Sequence, residues 1–267
     1  MLFFTGDTHA DFRRFSLQNF PQQINLTQAD KMLIAGDFGG IWEQTEPHPL
    51  RPERDRLKAL KSENWWLDWL NSKPYETCFV LGNHENWDRF DRDEFPVVDY
   101  YGGKAHQIRE RVYHLISGYV FNFDGVTVFA FGGGQSHDIQ DGILRRYGKT
   151  DEEYKKQYKS LVRSGARFRV AGVEWWQREC IPSHQEAFRA WENLERHDFK
   201  VDLVLTHCLP NSLCLYQDDN PLTQLLQDIY ERIDFSKWIC GHYHMDEEMG
   251  RFQVVYKRIY AVGPLGL

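Results

Sequence analysis

The strongest constraint in this chain is a repeated placement of polar residues after short apolar runs. Gly6 precedes Asp7-Thr8-His9, Gly36 precedes Asp37, Gly82 precedes Asn83-His84-Glu85, and Gly241 precedes His242-Tyr243-His244. Thr206-His207 closes a further apolar run. Each group sits at the carboxyl end of its run. In open α/β sheets ligands bind at that edge, because the strand fixes the backbone while the following loop is free to present side chains. Glycine allows the chain to turn sharply there without a Cβ penalty. The pattern therefore calls for a fold that gathers several strand ends around one cleft.

Runs at 2–5, 32–35, 77–81, 126–131, 201–206, 238–240 and 252–260 read as strands, most of them buried on both faces. Between them, residues 52–70 place Leu57, Leu60, Trp66 and Leu70 on a helical stripe amid charges, as in a surface helix. Ser183 and Glu186 form a capping box that opens a helix over 184–197. Asn220-Pro221 supplies an N-cap and a first-turn proline before Leu222, Leu225, Leu226 and Ile229. Asp124-Gly125 has the form of a two-residue hairpin turn, so an antiparallel segment follows the early strand-helix alternation. The pattern favours mixed β-sheet with helices outside. No internal repeat, low-complexity segment or long linker interrupts the 267 residues, so 1–267 reads as a single domain.

Composition narrows the function. The formal net charge of −7 disfavours a protein whose main task is to track a nucleic-acid backbone. No apolar run approaches the ~20 residues that span a bilayer, and the first apolar stretch is too short for a signal-peptide core, so the expectation is a cytoplasmic protein with no membrane partner. Five cysteines, an odd number with no C-x-x-C pair, argue against both a disulfide framework and a cysteine zinc site.

Gathered into one cleft, the strand-end residues offer two carboxylates, an amide oxygen and several imidazoles, with no thiolate. That donor set suits divalent first-row ions such as Mn, Fe, Co or Zn, whereas an all-oxygen set would suit Mg or Ca. There are too many donors for one tetrahedral ion. Two ions ~3.5–4 Å apart, bridged by a carboxylate, activate a water and clamp the attacking and leaving oxygens at phosphorus, which predicts phosphoester hydrolysis.

Gly-Asp7-Thr-His9, Gly-Asp37, Gly-Asn83-His84-Glu85, Thr-His207 and Gly-His242-Tyr-His244 resemble the five ordered motifs of the calcineurin-like metallophosphoesterases, here of a bacterial and phage type. All five stand in order between residues 6 and 244, and the closing Gly263-Pro264-Leu265-Gly266 resembles the short Pro-Gly ending of many members. The resemblance implies a four-layer α/β/β/α sandwich with two central mixed sheets. It implies one metal on Asp7, His9, Asp37 and His244 and a second on Asp37, Asn83, His207 and His242, with Asp37 as the bridge. A hydroxide shared by the metals would attack phosphorus, while His84 would stabilise charge and protonate the leaving oxygen. Glu85 would order its loop or a ligand histidine.

Other residues are weaker candidates. His137 follows the Gly132-Gly133-Gly134 turn and is a candidate for a loop near the site, and Arg145 and Arg146 for reaching a substrate phosphate. No G-K-[ST] follows the glycine run, so it reads as a turn rather than a phosphate cradle. Trp175-Trp176 with Pro182-Ser183 resembles a segment of the bacterial and phage branch and reads as an aromatic anchor for a long loop. The protein Ser/Thr phosphatase branch carries Asp and Arg where this chain has Gly40 and Ile41, so whatever orients His84 must come from elsewhere. The reading is a dimetal hydrolase of a phosphomonoester or small phosphodiester, with a phosphorylated small molecule, nucleotide or phosphoprotein as substrate. Its alternatives are a protein phosphatase, a nuclease, or a non-catalytic metal-binding scaffold. Specificity is expected from the loops at 40–56, 86–110 and 134–182.

Overall fold

Side-chain alternation along the strands sorts the chain into layers. The computed structural model describes residues 1–216 and 218–262. The Gly263–Gly266 ending lies outside the described residues. In chain order the strands are β1 (Leu2–Thr5), β2 (Lys31–Ile34), β3 (Glu76–Phe79), β4 (Val97–Tyr100), β5 (Gly103–Arg109), β6 (Val112–Leu115), β7 (Tyr119–Phe123), β8 (Val126–Phe131), β9 (Ile143–Leu144), β10 (Arg169–Val170), β11 (Lys200–Thr206), β12 (Asp234–Cys240), β13 (Glu247–Met249), β14 (Phe252–Val254) and β15 (Tyr260–Val262). The helices are α1 (Glu53–Asn71), α2 (Trp87–Asp91), α3 (Asp151–Ser164), α4 (His184–Arg196) and α5 (Pro221–Tyr230).

Two mixed sheets face each other, one ordered β15-β1-β2-β3-β6-β5-β4 and the other β13-β14-β12-β11-β8-β7. Leu2, Phe4, Leu33, Ala35, Cys78 and Val80 of the first pack against Val128, Ala130, Leu203, Leu205 and Ile239 of the second. The intervening residues point outward. Phe3, Met32, Ile34 and Phe79 share a core with Leu67 and Leu70 of α1. Phe129, Phe131, Val204 and Trp238 share another with Ala190 and Leu194 of α4 and Leu222 and Leu226 of α5. Three cores between four layers give the α/β/β/α sandwich, and they explain why the central strands read as continuous apolar runs.

The helix starts stand as expected: Ser183 with Glu186 and Asn220 with Thr223 both close capping boxes. The Asp124-Gly125 turn joins β7 to β8 with both residues at positive φ, 53° and 93°. Two expectations need correction. The run 252–260 is not one strand: β14 ends at Val254 beside β12, and β15 begins at Tyr260 in the other sheet, antiparallel to β1. Helix α1 forms, but Leu57 faces solvent and the buried stripe is Arg56, Glu63, Leu67 and Leu70. Glu63 goes inward because it accepts the Trp42 and Glu43 N–H groups at 3.0 Å and pairs with Arg89. No helix among the described residues is long and apolar enough to cross a membrane.

Candidate metal centre

Parallel pairing of β1 with β2 and β2 with β3, and of β8 with β11 and β11 with β12, puts their carboxyl ends on one side. The loops leaving those ends carry the motif residues, and their backbone is unusual. Asp7, His9, Asp37, His242 and His244 all adopt positive φ, between 44° and 71°. Non-glycine residues rarely do so, and each such conformation costs on the order of 1 kcal/mol or more, retained only where the surroundings enforce it. Here the loops enforce one another. Asp7 N–H donates to the Gly36 carbonyl at 3.1 Å and His9 N–H to the Asp37 carbonyl at 2.8 Å, while His242 N–H lies 3.0 Å from both Asp7 carboxylate oxygens.

Glycine is needed where the loops touch. A Cβ on Gly36, itself at φ +80°, would fall 2.2 Å from His207 Nδ1, and one on Gly82 would fall 2.2 Å from Asp37 Oδ1. Buried Glu85 ties the same loops together by accepting the N–H groups of Gly39 and Gly82. Burial, and then the nearby charge of Asp37, push its carboxyl well above the usual range.

The side chains converge as two groups around Asp37. In one, His9 Nε2 and His244 Nε2 are 3.0 Å apart, with His244 3.4 Å from Asp7 Oδ1 and His9 3.6 Å from Asp37 Oδ2. In the other, His207 Nε2 lies 3.3 Å from Asp37 Oδ1, 3.2 Å from Asn83 Oδ1 and 3.2 Å from His242 Nδ1. His207 Nδ1 donates to the Ala35 carbonyl at 2.8 Å, which leaves its Nε2 lone pair facing the other donors. Burial alone would raise the Asp37 pKa, but His207, His84, His9 and His242 outweigh it and hold the carboxylate below its ordinary value. The nitrogen and oxygen donors, aimed at common points with no thiolate among them, fit two divalent first-row ions.

His84 stands beside these groups. Its N–H donates to Asp37 Oδ1 at 2.8 Å, and its ring Nε2 accepts from Arg169 Nη2 at 2.9 Å. Trp42 stacks on the other side of the ring, with centroids 5.6 Å apart. Burial, with the charge of Arg169, overrides the pull of Asp37 and depresses the His84 pKa to about 4. Arg169, on β10, is therefore the group that holds His84, and it is itself fixed by Asp138 and the Glu174 carbonyl.

Two clefts meet at His84. One, of about 520 Å³, runs past Asn83, His137, Gln140, Arg167, Arg169 and His242. The other, of about 610 Å³, is lined by Phe12, Trp42 and Trp66 with Glu43 and Lys58. His137 does come to the site, with Nε2 2.8 Å from His242 Nε2. Arg145 and Arg146 do not. Both are exposed, Arg145 over the Trp175 ring and Arg146 paired with Asp151. Trp176 packs into the core outside the first sheet, edge-on to Trp42. Sequence reasoning missed Arg169, Trp42 and Asp218, whose carboxylate approaches both His137 and His242 at 3.5 Å. No strand-end signal marked any of the three.

A family model described as calcineurin-like phosphoesterase matches residues 2–246, a span that contains every one of these strand-end loops. The chain belongs to the calcineurin-like phosphoesterase family. No curated protein and no solved structure matches it. Membership agrees with the two facing mixed sheets and with candidate metal ligands on Asp7, His9, Asp37 and His244. Gly40 and Ile41, where the protein Ser/Thr phosphatase branch of the family carries Asp and Arg, leave the orientation of His84 to Arg169 in this member.

Proposed function

We propose that this chain is a dimetal phosphoesterase acting on a phosphomonoester or a small phosphodiester. The observation that carries the reading is the convergence of Asp7, His9, Asn83, His207, His242 and His244 on the central Asp37, with neighbouring donor atoms 3.0–3.6 Å apart. Asp7, His9, Asp37 and His244 would hold one ion, and Asp37, Asn83, His207 and His242 the other. When bound, the two ions supply Lewis-acid charge to the phosphoryl oxygens and acidify the attacking water.

The chain's own groups do the rest. Arg169 presents Nη2 to the cleft beside His84, where a phosphoryl oxygen would take the bond that His84 Nε2 now accepts. Freed of that bond, the neutral His84 ring can carry its proton on Nε2 instead of Nδ1 and so donate to the leaving oxygen. The leaving group then occupies the trough of Phe12, Trp42 and Trp66, whose lining favours an organic group with apolar surface. The test is hydrolysis of p-nitrophenyl phosphate and bis-p-nitrophenyl phosphate side by side, after stripping the protein and reloading it with Mn²⁺. Turnover that depends on the metal and is absent in Asp37→Asn supports the reading. No turnover of either ester with two ions bound would favour a binding scaffold.

A further inference from the structure

The imidazole of His242 faces donor atoms on both of its sides. Nδ1 points to His207 Nε2, 3.2 Å away, within the group around Asp37. Nε2 points the other way, 2.8 Å from His137 Nε2 and 3.5 Å from Asp218 Oδ2, and that oxygen is also 3.5 Å from His137 Nε2. A hydrogen bond between the two rings would account for the short side of this triangle. It would leave Asp218 Oδ2 without a partner among the described residues, on a side chain only 2% exposed. A buried carboxylate oxygen in that position is costly unless something cationic meets it.

A cation meets all three atoms at once. A triangle with these sides has a circumradius of about 1.9 Å, so an ion slightly out of its plane would stand ~2.0–2.1 Å from each donor, an ordinary metal–nitrogen or metal–oxygen bond length. The sides also match the candidate centre next door, where the His9, His244, Asp7 and Asp37 donors are spaced at 3.0, 3.4 and 3.6 Å. Two imidazoles and one carboxylate on one face, with the remaining positions open, is an arrangement suited to a divalent first-row metal. The ring of Tyr216 covers the group, 4.3 Å from His137 and 6.1 Å from His242 between centroids.

We propose that His137, Asp218 and Nε2 of His242 bind a third divalent cation. The inference rests on the dimetal reading of the neighbouring site. With both ring nitrogens engaged, His242 joins two cations as an imidazolate, and its remaining ring proton passes to solvent as the third ion binds. His137 and His242 both line the cleft that holds Arg169, so the third ion stands at the cleft wall and can take a second anionic group of a substrate there.

The experiment counts ions. Stripped protein is dialysed to equilibrium against Mn²⁺, and in parallel against Zn²⁺, and metal per chain is measured by mass spectrometry for wild type, His137→Ala and Asp218→Asn. Wild type should hold three ions with either metal and each variant two. His137 is 37% exposed on its side chain, so His137→Ala keeps the test valid if Asp218→Asn fails to fold. Two ions in wild type, or three in a folded variant, overturns the third site and leaves the dimetal reading standing. Fewer than two ions in wild type overturns both.

Discussion

The strand-end loops and the segment from 135 to 176 build different walls of the same cleft by different physics. The loops are governed by backbone: left-handed φ at Asp7, His9, Asp37, His242 and His244, N–H groups crossing from one loop to the next, and glycines where a Cβ would collide. They rest directly on the three cores of the sandwich. The other segment holds the two-stranded ribbon β9–β10 and the largely exposed helix α3. A small cluster of Leu144, Tyr154 and Val170 with Leu50, Tyr158, Leu161, Phe168 and Val173 supports it. It reaches His84 by one long side chain, Arg169. The contrast teaches that the candidate metal ligands are placed by the main chain, whereas Arg169 is delivered to the cleft by a long side chain.

If that division holds, damage should scale with closeness to the backbone framework. Asp37→Asn should show the largest effect, with metal content and kcat/KM falling together, the latter on the order of 10³-fold. His84→Ala should lose turnover but keep metal, and equal metal loss in both variants would sink the assignment of His84.

Gly36→Ala comes next. It adds a Cβ 2.2 Å from His207 Nδ1 at a φ of +80°, so denaturant unfolding should report a loss of about 3 kcal/mol. A loss under about 1 kcal/mol would mean that the loops are not locked.

Arg169→Ala should lower kcat/KM on the order of 10²-fold with metal content unchanged, and Arg169→Lys should recover little, because an ammonium cannot reproduce the fork across Asp138, the Glu174 carbonyl and His84. Arg145→Ala, made in parallel, should change turnover less than about 2-fold. An equal effect of the two would erase the distinction between the cleft wall and its exposed margin.

The smallest effect concerns buried Glu179, which accepts the Ser136 N–H at 2.9 Å beneath the cleft wall while its other oxygen has no partner among the described residues. Burial pushes its carboxyl up to about 8. The folded state therefore holds a proton that the unfolded chain releases near 4.5, so this group's contribution is full below that pH and is lost as pH rises toward 8. Glu179→Gln should remove that slope and gain on the order of 1–2 kcal/mol at pH 8 relative to wild type. Parallel pH profiles of Tm for the two proteins would show that Glu179 does not titrate in this window.

The legible parts of this chain are those in which neighbours in sequence are neighbours in the site. Gly82-Asn83-His84-Glu85 places a turn, a ligand candidate, the ring that Arg169 holds and a loop tie in four consecutive residues. The runs of β1, β2, β8 and β11 were equally legible, because strands that bury both faces read as continuous apolar stretches. The β4–β5–β6 meander and α3 went unread, although Thr150 and Glu153 form a capping box that could have marked the helix. Arg169 and Asp218 were invisible for a different reason. They lie 85 residues from His84 and 81 from His137 along the chain, and only tertiary packing gives either a role. On α1, Glu63 displaced the expected apolar stripe because its partners, Trp42, Glu43 and Arg89, come from elsewhere.

The core between the two sheets has a metrological role as well. Asp7, His9, Asp37 and Asn83 follow strands of one sheet, and His207, His242 and His244 follow strands of the other. The inter-sheet layer of Phe4, Val80, Val128 and Leu205 is thus a gauge block that sets the gap across which every donor pair spanning the two sheets is measured. Interiors at crystal-like packing density do not compress freely, so a methyl group added or removed there would shift the spacing of the candidate ligands well away from the edit. Metal affinity at the candidate centre would in that sense be a ruler for the thickness of the hydrophobic middle.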